Sequence, residues 1–498
     1  MWRAAPTERS CCRAARDGTS RIAELVVART RDAIAARATP ARAPATGARR
    51  PVVYAAVMAR VLAVAAMVLA AIVAVSGLGA RAEADGDALA ALLRRIDSVA
   101  KEVARVRGLP LKRPIPNEVV GREELRTRLI KMAAEDKTAA ESAAEAFALE
   151  RWGMIPPGTD YTGMIVDLLT EQIAGYYDPD TKKLTISQSA GDDPGWAEMV
   201  LAHELDHGLQ DQAFDLHRFE DLPSSEGDAS VARRALVEGD GIALMIEVMV
   251  ARNRSKVDWA NPGIATAIEK GMSAPGNGND SLDKAPLAIR EAMLFPYRAG
   301  FGFIAALRRR QPWSAVDAAF ARPPRSTEQI IHPERYFADD QPVPITASVP
   351  AALPGFAISH STVWGELGFG LWLRSHGVDE RAANEASAGW GGDRVIVVAR
   401  PGNRRVARAV GIARTEWDSE ADAIEAAEAA GKALADSVVG GTVEQTSNRM
   451  RLLGLDGTVS WLERKGPSLV IVVGAPAWAA DALAVEVWTA TGIAKPKR

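Results

Sequence analysis

The chain has 498 residues, of which 48% are hydrophobic and 25% charged. That composition excludes a collagen-like fibre, a small disulfide-stapled scaffold and a wholly disordered chain, and the length is enough for two or three domains. The net charge of −3 hides an asymmetry. The residues before Glu83 carry 13 Arg and four acids, leaving 47 basic and 59 acidic residues beyond them, a net of −12. An acidic body of that kind repels phosphate backbones, so nucleic acid is not an expected partner. Both cysteines, Cys11 and Cys12, fall in the basic leader, so no disulfide is available to the body.

In chain order, residues 1–57 are rich in Arg, Ala and Pro and lack a sustained apolar period, as expected of a disordered or non-native extension. From Met58 a basic Arg60 precedes an apolar run, Val61 to Val75, and a small-residue ending, Ala80-Arg81-Ala82. This is the anatomy of a secretory signal, with cleavage expected after Ala82 and an exported, periplasmic or extracellular product. About 15 apolar residues are short of the roughly 20 a spanning helix needs. The expected contact with membrane is through this segment alone, if it is not cleaved.

Residues 83–150 read as a helical segment. Leu89, Leu92, Leu93, Ile96, Val99 and Val103 recur at helical spacing, a Pro-rich link spans Gly108 to Pro116, and helical sequence resumes over 122–151. In Gly175 to Ser187, Asp178-Pro179-Asp180 separates two short β-prone stretches and predicts a hairpin. Trp196 to Gln212 then reads as a helix. After Gly391, strand-like runs alternate with helical ones, predicting a small α+β C-terminal domain over 391–498.

The helix from Trp196 contains His203-Glu204-Leu205-Asp206-His207, an HExxH pattern. Four-residue spacing puts both imidazoles on one helix face, able to grip one zinc ion, with Glu204 beside them as a candidate general base. Catalytic zinc usually has three protein ligands, and no third His follows at short spacing. A carboxylate on a second helix is therefore expected. Residues 229–252 are helical in pattern but interrupted by Glu238-Gly239-Asp240-Gly241. Two glycines in a helix predict a close helix–helix approach. Glu238 is the first choice of ligand, and Asp240 the alternative or a partner that orients an imidazole.

These segments, GYYDPDTKKLTIS, HELDHGLQDQ and LVEGDG, together with FPYRAG from Phe295, STEQIIHPERY from Ser326, WGELG from Trp364 and GWGGDR from Gly389, resemble a family of uncharacterised bacterial exported proteins on the gluzincin side of the zincin metallopeptidases. The resemblance implies an α+β fold, with a mainly helical zincin-like core and a small sheet over 151–390. It implies Zn2+ held by His203, His207 and Glu238, and peptide or protein substrates lying along Leu184 to Ser187 as an edge strand. His332 and Tyr336, with Tyr297 as a further candidate, would stabilise the oxyanion. One departure is that gluzincins often carry ExxxD on the ligand helix, whereas position 242 is Ile.

The expected function is zinc-dependent peptide hydrolysis, the zinc polarising the scissile carbonyl and Glu204 shuttling the proton of water to the leaving amine. A zincin-fold binding or scaffold protein with a retained zinc is the alternative, and a non-peptide amide substrate a third reading. The presence of Glu204 favours the enzyme, since a purely structural zinc has no use for it.

Overall fold

The structure, a computed structural model, describes residues 93–494 apart from 137–138, 193, 221, 273–279 and 404. The expected extension and signal segment, with Cys11 and Cys12, lie outside the described residues. No helix among the described residues is long and apolar enough to cross a membrane.

The chain is mixed α+β. Helices of its first part include α1 (Ile96–Arg107), α2 (Arg122–Asp136), α3 (Ala139–Arg151), α4 (Tyr161–Gln172), α5 (Pro194–Phe214), α6 (Gly227–Arg252), α7 (Leu287–Arg310) and α8 (Trp313–Ala321). The stretch expected to be helical over 122–151 is helical on both sides of 137–138, which lie outside the described residues. Around them, β1 (Asn117–Val120), β2 (Gly175–Asp178) and β3 (Lys183–Ser187) form a three-stranded sheet in the order β1-β3-β2.

The β2–β3 hairpin forms where Asp178-Pro179-Asp180 predicts it. The Asp178 carboxylate accepts from Asp180 N at 2.9 Å and from Thr181 Oγ1 at 2.8 Å, closing the turn on itself. The edge assignment needs correction. β3 is central, because β1 pairs with it in parallel, Asn117 opposite Leu184 and Val120 opposite Ser187. The edge next to α5 belongs to β2.

Helices α6 and α7 cross at their glycines. A Cβ on Gly239 would lie 2.2 Å from the Gly300 carbonyl carbon, and a Cβ on Gly300 would lie 2.1 Å from the Ala235 oxygen. Only bare backbones fit at that separation. Around the crossing, Ala235, Leu236, Ile242, Phe301 and Ile304 are fully buried in one core. A second core joins α1, the β2–β3 hairpin and α5 through Val99, Val103, Leu184, Leu201 and Leu205.

In the second part, short helices α9 (Thr327–Ile331) and α10 (Pro333–Ala338) precede β4 (Ile345–Ala347), β5 (Ala357–Thr362) and α11 (Gly365–Ser375). There follow β6 (Trp390–Ala399), β7 (Val410–Trp417), α12 (Glu420–Ser437), β8 (Gly440–Gln445), β9 (Arg449–Gly454), β10 (Thr458–Lys465), β11 (Ser468–Pro476), α13 (Ala477–Ala490) and β12 (Thr491–Ile493). Seven strands form one antiparallel sheet, β5-β6-β7-β11-β10-β9-β8.

That sheet begins at Ala357, ahead of the boundary expected at 391, which falls inside β6. Its central strands read as unbroken apolar runs because both faces are covered. Val395, Val397, Leu469 and Ile471 point to the side of α11 and α12, and Ile396, Val398, Val470 and Val472 to the side of α13. Asp393 is buried in this part and accepts from Trp364 N, Gly365 N and Trp390 Nε1 at 2.8–2.9 Å. The WGELG and GWGGDR segments are thereby tied to one carboxylate.

Candidate metal centre

Helices α5 and α6 pack side by side and bring His203, Glu204, His207 and Glu238 together, all buried. Glu238 Oε2 stands 3.2 Å from His203 Nε2 and 3.5 Å from His207 Nε2. The rings of the two histidines are 4.5 Å apart and nearly perpendicular. Four-residue spacing on α5 supplies the two imidazoles, and α6 supplies the carboxylate across the helix pair.

Hydrogen bonding decides which nitrogen of His207 faces Glu238. Gln210 Nε2 donates toward three acceptors, Asp206 Oδ2 at 2.9 Å and both Val237 O and Asp240 Oδ2 at 3.1 Å. Its carboxamide oxygen must therefore face His207 Nδ1, 2.9 Å away. That oxygen only accepts, so Nδ1 carries the proton, and His207 Nε2 is left without a hydrogen-bond partner in a buried site. Two imidazole nitrogens facing one carboxylate oxygen, one of them lacking a partner, is a donor set that suits a divalent cation such as Zn2+.

Electrostatics agree. Burial opposes charge on His207, but the Glu238 carboxylate outweighs it and pushes the imidazole up to about 10. Burial likewise opposes the charge of Glu238, yet His207 and the His203 hydrogen bond hold it down at about 2. Burial, reinforced by the neighbouring His207, lowers His203 to about 4. These three residues together favour positive charge at the site.

Glu204 lies beside these three residues. Its Oε2 accepts from Tyr177 N of β2 at 2.8 Å, while Oε1 is buried without a hydrogen-bond partner. Burial raises its carboxyl to about 8. Tyr297 on α7 is buried with its ring 6.5 Å from that of His203, roughly parallel, and its hydroxyl hydrogen bonds with Glu238.

The glycines of α6 serve two neighbours. Gly239 admits α7, and Gly241 admits His203, whose Cε1 would be 2.6 Å from a Cβ at that position. Asp240 faces Arg107 and Gln210 instead.

The structure does not bring His332 and Tyr336 to this cluster. His332 Nε2 pairs with Glu366 Oε1 at 3.0 Å, at a cavity of about 580 Å3 bordered by Glu291, Phe295, Arg298 and Gly302 of α7. Those residues lie about 180° around α7 from Tyr297, Gly300 and Ile304, so His332 is across that helix. The Tyr336 hydroxyl donates to Arg322 O at 2.9 Å, and its ring packs edge-on against Phe303. Ser326 caps α9 by accepting from Gln329 N at 3.2 Å. Arg107, Gln210 and the Tyr177 amide were not singled out by sequence reasoning; the one advance signal was the polar run Gln210-Asp211-Gln212, which begins three residues after the second histidine.

Residues 356–484 match a domain of unknown function, DUF8575. The match covers the seven-stranded sheet with α11, α12 and about half of α13, and it contains none of His203, Glu204, His207 or Glu238. No curated protein and no solved structure matches the chain.

Proposed function

We propose that the protein is an exported zinc metallopeptidase with a zincin-like core, in which His203, His207 and Glu238 hold Zn2+ and Glu204 is the general base. The observation that carries the reading is the convergence of His203 Nε2 and His207 Nε2 on one Glu238 oxygen, with Glu204 alongside. When bound, zinc would supply Lewis acidity that polarises a carbonyl and makes water a better nucleophile near neutral pH.

The chain's own residues supply the rest. Gln210 fixes the His207 ring so that Nε2 faces Glu238. Tyr177 N holds Glu204 by Oε2, which leaves Oε1 to take a proton from water and deliver it to the leaving nitrogen. Tyr297, already beside Glu238 and His203, is better placed than His332 or Tyr336 to donate a hydrogen bond to a developing oxyanion.

Export rests on the signal segment at 58–82, and the acidic body points to peptide or protein substrates rather than nucleic acid.

A second reading is a binding or scaffold protein with a retained zinc. It is favoured by the closure of the site, since His203, Glu204 and Glu238 are at most 1% exposed. Metal analysis of the purified chain with a peptide-library cleavage assay, with and without a chelator, separates the two. Chelator-sensitive cleavage supports the peptidase, and one equivalent of zinc without cleavage of any peptide supports the scaffold.

A further inference from the structure

Helix α1 ends in Arg107, a residue wholly buried although it belongs to a segment whose sequence suggests only packing. Its guanidinium grips Asp240 with Nε 2.9 Å from Oδ1 and Nη2 3.1 Å from Oδ2. It also pairs with Asp317 Oδ1 at 2.8 Å and lies 4.4 Å above the Trp313 ring of α8. Asp240 Oδ2 in turn receives Gln210 Nε2, and Gln210 Oε1 receives His207 Nδ1. Arg107, Asp240 and Gln210 are each fully buried, so bulk water does not compete for these bonds.

We propose that Arg107, Asp240 and Gln210 form a positioning relay that holds His207 by its Nδ1–H and fixes its ring plane, making α1 part of the apparatus that holds the metal. The proposal rests on the metal reading above. Each link has a separate reason. A carboxamide whose nitrogen faces three acceptors can present only its oxygen to His207, which keeps Nδ1–H on Gln210 and turns Nε2 toward Glu238. Asp240 is one of those acceptors, and without the bidentate hold of Arg107 a buried aspartate has no fixed orientation. The relay also accounts for Ile242. An outer carboxylate at that position is not needed, because the orienting acid is Asp240, two residues earlier on α6, acting through Gln210. It follows that the segment Ile96–Arg107 cannot be removed as a propeptide without loosening the site.

The test uses the full chain in three variants. Gln210→Met removes the partner of His207 and leaves the Arg107–Asp240 pair. Arg107→Met removes the clamp and exposes the fold to an uncompensated buried acid. Arg107→Met combined with Asp240→Leu removes both charges of the pair, a change that buried ion pairs often tolerate, and so keeps the question open to test if the single variant does not fold. Zinc affinity is read by competition with a chromophoric chelator, and the hydrogen bond from His207 Nδ1–H to Gln210 Oε1 in the metal-free protein by the 1H and 15N shifts of the imidazole.

Every folded variant should bind zinc roughly 10- to 100-fold more weakly than the wild type. His207 should lose its hydrogen-bonded Nδ1–H signal, while the metal-free double variant still unfolds cooperatively. Folded variants with wild-type zinc affinity and an unchanged Nδ1–H signal overturn the relay. A wild-type chain that takes up no zinc overturns the metal reading instead, and the Nδ1–H shifts of the Arg107→Met, Asp240→Leu double variant still decide whether the relay holds the His207 ring.

Discussion

Gly241 lies against the imidazole of His203, with ring atoms 2.6 to 3.0 Å from where a Cβ at that position would stand. The ring belongs to the interior of α5 and is fully buried, so it has little room to retreat. Gly241→Ala should therefore turn His203 away from Glu238 and weaken zinc binding by at least tenfold, read by zinc titration, with a smaller loss in metal-free melting temperature. Unchanged zinc affinity in Gly241→Ala would show that the ring has another place to go.

Gly239 faces a different neighbour and should give a different phenotype. A methyl there meets the backbone of Gly300, at 2.2 Å from its carbonyl carbon and 2.3 Å from its oxygen, and backbone cannot rotate aside as a side chain can. Gly239→Ala should cost about 1 to 3 kcal/mol or more by overpacking, measured as a lower denaturant midpoint. Gly300→Ala, meeting Ala235 O at 2.1 Å, should behave alike.

Glu204→Gln should abolish peptide hydrolysis while zinc stays bound. Glutamine preserves the shape and can still accept the Tyr177 amide, but it cannot take a proton from water near neutral pH. General-base catalysis is typically worth about 10²- to 10⁴-fold. Rates and bound zinc measured on the same preparation check this, and an active variant would contradict the role.

Asp393 predicts a pH dependence of stability that involves none of His203, His207 and Glu238. Burial raises its carboxyl to about 6, against backbone hydrogen bonds from Trp364 and Gly365 that lower it. The folded chain thus holds this proton more tightly than the unfolded chain. The resulting stabilisation is complete below the unfolded value of about 4 and is lost as pH rises through about 6. Relative to Asp393→Asn, the wild type should lose about 2 to 3 kcal/mol of unfolding free energy between pH 4 and pH 7. Parallel curves for the two proteins would rule out Asp393 as the titrating group.

What the sequence made legible follows the range of the interactions involved. HExxH on α5 and the helical EGDG segment are local patterns, and the two glycines announced a close approach before either partner, Gly300 or His203, was known. The Asp178-Pro179-Asp180 turn and the α+β texture of the C-terminal part are local too.

What was missed depends on pairing across the chain. β1 is a four-residue strand after a Pro-rich link, and nothing in Asn117–Val120 says that it will cover β3. β5, AISHST, is half polar and does not read as a sheet strand. His332 and Tyr336 share a motif-rich stretch, but which face of α7 they meet is decided by packing. Arg107 lies 133 residues from Asp240 along the chain, and only the folded structure brings them together.

The central claim is that His203, His207 and Glu238 are the ligands of one metal ion, and competitive zinc titration of wild type, Glu238→Ala and Asp240→Asn tests it most directly. The wild type should bind one equivalent, Glu238→Ala should lose most of its affinity, and Asp240→Asn should lose no more than the roughly 10- to 100-fold of an outer partner. Wild-type affinity in Glu238→Ala, or loss of the metal in Asp240→Asn alone, would contradict the account.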